Sequence, residues 1–138
     1  MDRRTLITAT LAAPALIACT SSPRRAGTLL GRWQPTASQL GGNVFAVVNF
    51  RGAVLVLQPT TYEFGDDSGM VFLGLPGPPA QMDVQGKVGP NAGKTILTIY
   101  SLQQDELVIC YQLGVGPRPT TFESPAGTQV LLVKYKRL

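Results

Sequence analysis

Histidine is missing from all 138 residues. With it go the usual general base at neutral pH, the commonest zinc ligand, and the Ser-His-Asp and Cys-His arrangements of nucleophilic hydrolases. Cysteine is nearly absent too, limited to Cys19 and Cys110. Charged residues make up 14% of the chain and leave a net charge of +4, scattered along its length. That is too weak and too dispersed for a nucleic-acid surface. Long apolar runs are also lacking. The best, Leu6 to Ala18, would span about 20 Å as a helix against a hydrocarbon core of roughly 30 Å, and Pro14 interrupts it.

What the N-terminus does have is a layout. Met1-Asp2-Arg3-Arg4 forms a short charged head, the apolar stretch follows, and Cys19 with Thr20-Ser21-Ser22-Pro23 comes next, which is the order of a secretory signal. Leu16-Ile17-Ala18-Cys19 resembles the lipobox of bacterial lipoproteins. That resemblance implies that the Cys19 thiol takes a diacylglyceryl group as a thioether, and that small Ala18 admits a peptidase cutting just before it. Acyl chains bury about 0.8 kcal/mol per methylene, so two or three of them hold a protein on a bilayer. Asp2-Arg3-Arg4-Thr5-Leu6-Ile7 also resembles a twin-arginine export signal. It lacks the basic residue that often follows the apolar pair, and the general secretion route stays equally open. Thr20 stands where an aspartate would resemble an inner-membrane retention signal, which points to an outer-membrane address if the cell has two membranes. The expected organisation is a signal peptide over residues 1–18, a lipidated N-terminus and polar tether over 19–28, and a single domain over 29–138.

That domain reads as all-β. Gly 15 and Pro 11 punctuate short runs of β-branched and aromatic residues, and no stretch keeps a helical period. Strands are expected over 32–38, 53–58, 61–64, 70–75, 81–86, 95–102, 107–113 and 128–136. Residues 44–50 suit either another strand or a short helix. Gly65 to Gly69, Gly89 to Gly93 and Gln103 to Asp105 supply turn chemistry, and the proline-rich segments around Pro78 and Pro117 cannot sit inside a ladder. Eight short strands in a meander predict a small antiparallel barrel or a sandwich.

Gly31-Arg32-Trp33 resembles the Gly-x-Trp signature of lipocalins. Gly93-Lys94-Thr95, Ile99-Tyr100, Leu107, Ile109-Cys110-Tyr111, Arg118-Pro119, Phe122 and Lys136-Arg137 follow in order, and with Leu30 and Met82-Asp83 the set resembles a bacterial lipocalin-like domain family with no established reaction. The resemblance implies an eight-stranded lipocalin-like barrel in which Trp33 plugs the closed end and Arg137 lies over its ring, with Lys136 as the substitute if the register slips by one. It implies nothing about activity.

Several constellations fail on inspection. Gly89-Pro90-Asn91-Ala92-Gly93-Lys94-Thr95 has one residue too few for a phosphate loop, and Ile96 to Tyr100 reads as strand where a helix is needed. Asp66-Asp67 and Asp105-Glu106 are adjacent pairs, which suit solvated turns better than an acid and base acting together. Cys110, flanked by Val108, Ile109 and Tyr111, suits a small buried hydrophobe. The barrel interior is the remaining candidate. Tyr62 and Phe64 share one strand parity, as do Tyr111 with Ile109 and Tyr135 with Val133, and such side chains either fill a small barrel or line one cavity. Arg118 could hold an anionic group at the cavity mouth, or pair with Glu123. The expectation is a membrane-anchored envelope protein without enzymatic activity and without a cofactor, binding a small apolar or amphiphilic molecule. The alternative is an envelope interaction module with a filled barrel.

Overall fold

A computed structural model describes residues 28–138. Arg3, Arg4, Leu16, Ile17, Ala18 and Cys19, with the signal, lipidation and most of the tether assigned to that segment, lie outside the described residues.

Nine antiparallel strands follow one another: β1 Gly31–Leu40, β2 Asn43–Val44, β3 Leu55–Leu57, β4 Thr61–Phe64, β5 Asp67–Leu73, β6 Ala80–Val88, β7 Thr95–Gln103, β8 Glu106–Gln112 and β9 Val130–Arg137. Each strand from β3 to β8 pairs with the next, β3 pairs with β1, and β9 returns to pair with β1. The result is the eight-stranded closed barrel expected, with two-residue β2 appended to the far end of β1. Closure runs from Trp33 opposite Arg137 to Leu40 opposite Leu131, with a register shift between Pro35 and Ala37. The bulge changes the parity of β1, so that Trp33 and Pro35 before it and Ser38 after it are the buried positions.

Most expected strand bounds move by one to three residues, and two differences bear on the site. Residues 44–50 are neither a full strand nor an α-helix: Val44 ends β2, and Val47–Phe50 make one 3-10 turn ended by Arg51 in the left-handed conformation. The expected start of β5 at residue 70 is corrected to Asp67, because only Gly65 and Asp66 turn the chain and Asp67 already faces Phe64 across the ladder. Gly69 sits inside the strand, where a Cβ would collide with the Gln85 carbonyl. The glycine permits close strand approach there.

Alternation then sorts the side chains into two apolar sets. Inward-facing Trp33, Met82, Leu107, Ile109 and Val133 form the barrel core. The intervening positions Ile99, Cys110 and Leu132 lie on the outer face, where Phe122 from the β8–β9 connection packs against them. Cys110 is fully buried there, and its thiol contacts the Glu123 carbonyl at 3.4 Å. Burial pushes that thiol up from its ordinary pKa, against the smaller opposing effect of the Glu123 contact.

One end of the barrel is shut by Trp33, which has no exposed surface and donates its indole N–H to the Leu29 carbonyl at 3.0 Å. The Arg137 guanidinium lies 4.3 Å from the Trp33 ring centroid. It also donates to the carbonyls of Thr28 (2.7 Å), Leu30 (3.3 Å) and Gln104 (3.4 Å), and pairs with the Asp105 carboxylate at 3.2 Å. One planar fork thereby ties the chain entering β1, the β7–β8 turn and the end of β9. Arg137→Lys keeps the charge but not the fork, and is expected to cost about 1–2 kcal/mol. Urea denaturation followed by the fluorescence of Trp33 measures this; unchanged stability would show that charge alone suffices at the plug.

Candidate functional site

Opposite the plug, the barrel is not filled. A cavity of about 720 Å³ opens at the end formed by Asn49 to Ala53, the β4–β5 turn at Gly65 and Asp66, Pro90 and Asn91 of the β6–β7 loop, and Leu113. Its wall is made by inward-facing residues of seven strands, β3 to β9, among them Leu57, Val71, Val84, Ile96 and Leu131. Trp33 and Leu107 are fully buried and line none of the cavity, whereas the inward residues Leu57, Val71, Val84 and Ile96 face the open space. Phe50, carried in by the 3-10 turn, meets Phe64 edge-on at 5.3 Å and Phe45 at 5.5 Å. The mouth therefore has an aromatic side.

Tyr62, Phe64, Tyr111 and Tyr135 all line this cavity. The structure brings three phenol groups to its wall with two kinds of partner. Tyr62 donates to Asp67 Oδ1 at 3.0 Å, and the Tyr111 and Tyr135 hydroxyls meet at 2.6 Å. Burial, the hydrogen bond to Asp67 and the charge of Asp67 all push the Tyr62 phenol well above its ordinary value. Burial chiefly does the same for Tyr111 and Tyr135, and Tyr100 is also raised by burial. None of these hydroxyls is set up as a base at neutral pH.

Arg118 requires correction. It does not line the cavity and does not pair with Glu123. Its guanidinium bonds the Asp83 carboxylate at 2.7 Å and the carbonyls of Thr98 (2.9 Å) and Met82 (3.2 Å). Asp83 occupies an outward parity position of β6, beside inward-facing Met82. Arg118 thus clips the β8–β9 connection onto the outside of β6 and β7. Gly31, Trp33 and Arg137 belong to the plug at the other end.

Two cavity residues escaped the sequence. Asp67 is 8% exposed, and Asn91 donates to its Oδ2 at 2.7 Å. From the sequence alone Asp67 suits half of a solvated turn pair and Asn91 suits turn punctuation. The parity signal was present, since Asp67, Gly69 and Val71 alternate along one face, but the glycine interrupted it. Among the described residues no group of three or more metal-ligating side chains gathers.

Comparison with protein-family models, with curated proteins and with solved structures returned no match. The class of protein rests on the geometry alone: a closed eight-stranded antiparallel barrel, plugged at one end and hollow at the other.

The phenols supply a test of this interior. All four tyrosines have raised values, so in the native protein tyrosinate absorbance should be nearly absent at about pH 10, where half of an exposed set would ionise. In urea all four should titrate together near that ordinary value. Because the folded state holds these protons more tightly, their stabilisation is complete below the unfolded pKa and is lost as pH climbs above it. Tyrosinate appearing near pH 10 with the barrel intact would contradict the buried arrangement.

Proposed function

We propose that this protein is a membrane-anchored cell-envelope lipoprotein whose lipocalin-like barrel binds a small apolar or amphiphilic molecule without catalysis. The observation that carries the binding half is the hollow interior, about 720 Å³ with one open end and a wall dominated by aliphatic and aromatic side chains. Sites for small ligands fall between about 300 and 1,000 Å³ and have this character, with a few placed polar groups fixing orientation. The anchoring half rests on the sequence around Cys19, with the bilayer as partner through its acyl chains. A barrel with a solid core would have favoured the docking-module alternative. The Trp33 and Arg137 arrangement, which the lipocalin resemblance anticipates, supports the same reading.

The envelope location is tested by metabolic labelling with a tagged fatty acid. Cys19→Ser should abolish labelling and leave unprocessed precursor; normal maturation of that variant would end the lipoprotein proposal. Binding is tested on the full-length Cys19→Ser chain with a fluorescent fatty-acyl probe. Leu131→Trp, which places a large ring into the cavity wall, should weaken probe binding at least tenfold while the circular dichroism of the barrel persists. A probe that binds the two proteins equally is not in the barrel.

A further inference from the structure

Among the described residues no cation balances the carboxylate that this cavity holds. Asp67 stands on the first inward position of β5, 8% exposed, and lines the cavity. Its two hydrogen-bond donors, the Tyr62 hydroxyl and the Asn91 amide, are both neutral. The ion pairs seen among the described residues are Arg118 with Asp83 and Arg137 with Asp105, and neither reaches the cavity. Arg51 is the only cation among the described lining residues; it sits exposed at the mouth and makes no ion pair with Asp67. Asp66 at the same rim adds a further negative charge.

Such a carboxylate has unused capacity. An ionised Asp offers about four lone-pair positions, and the protein engages it through one contact at each oxygen. A charge kept in an apolar enclosure without a counter-ion is costly. If the only task at position 67 were to tie the β6–β7 loop to Tyr62, an uncharged amide could do it. Close by in the wall, the Tyr111 and Tyr135 hydroxyls share one hydrogen bond, which leaves lone pairs on their oxygens to accept from the N–H groups of a ligand head.

We propose that the ligand of this cavity is a cationic amphiphile, a long-chain amine whose ammonium group pairs with Asp67 while its hydrocarbon fills the barrel towards Ile109 and Val133. This rests on the ligand-binding reading above and narrows it by charge. Ammonium supplies the missing cation and N–H donors for the free lone pairs of Asp67. The aromatic side of the mouth, Phe50 and Phe64, gives the same charge a favourable π-face on entry. A fatty acid of equal length would bring a second negative charge to Asp67 and is disfavoured.

The test is calorimetric titration of the full-length Cys19→Ser chain at pH 7 with dodecylamine, dodecanol and dodecanoate, each kept below its micelle concentration. The amine should bind at least tenfold more tightly than the alcohol, and the alcohol more tightly than the acid. Asp67→Asn should erase that order and leave alcohol binding in place. Equal or weaker binding of the amine, with the alcohol bound, overturns the charge assignment and leaves the cavity reading standing; failure of all three to bind removes both. Should Asp67→Asn lose the barrel by circular dichroism, Asn91→Ala frees Oδ2 and should hold or raise the amine preference, and loss of the preference there would count against the assignment.

Discussion

Closure between β1 and β9 is the constraint on which the rest of the molecule depends. An open sheet of strands this short would present unpaired N–H and C=O groups along both edges. Joining Trp33 to Arg137 and Leu40 to Leu131 removes the edges, and it forces every strand to own an inside and an outside. The bulge near Thr36 lets β1 bend round to meet β9. Once the sheet is closed, an inward side chain must either pack against its opposite neighbours or leave a void that the protein cannot collapse, because the strands are held at fixed spacing by their ladders. Packing wins around Trp33 and Leu107, and the void survives between the inward residues of β3 to β9 nearer the open end.

The outer face needed its own solution. Ile99, Cys110 and Leu132 would be an apolar patch on the barrel wall, and Phe122 of the β8–β9 connection covers it. Ser124 and Arg118 fasten that connection, the first by accepting from the Gly42 N–H at 3.1 Å and donating to the Val130 carbonyl at 2.7 Å, the second by its hold on Asp83. The long segment is therefore structural cladding over much of its length, which accounts for an arginine that looked functional from its place in a proline-rich loop.

Much of this was legible beforehand because strand parity is a local property. Tyr62 with Phe64, and Tyr111 and Tyr135 each within an apolar alternating run, declared which face they would occupy, and the Trp33 and Arg137 pairing followed from a resemblance that bears on the closed end of the barrel. What escaped was long-range or masked by glycine. Nothing near Arg118 in the chain announces Asp83, which is brought beside it only by the wrapping of the loop. Asp67 looked like turn because Gly65 and Gly69 bracket it, although the second glycine serves strand approach and not chain reversal. Whether the interior would be solid or hollow depends on summed volumes around a closed ring, and no single strand carries that information.

Both ends of the described chain come together at the plug. Thr28 and Leu30 are held by Arg137, and the Leu138 N–H bonds the Arg32 carbonyl at 3.0 Å, while the opening lies at the far pole. The two ends of the described chain and the cavity mouth thereby lie at opposite poles of one short cylinder. Anything fused after Leu138, whether a fluorescent partner or a second domain, leaves from the sealed pole, across the barrel from the entrance.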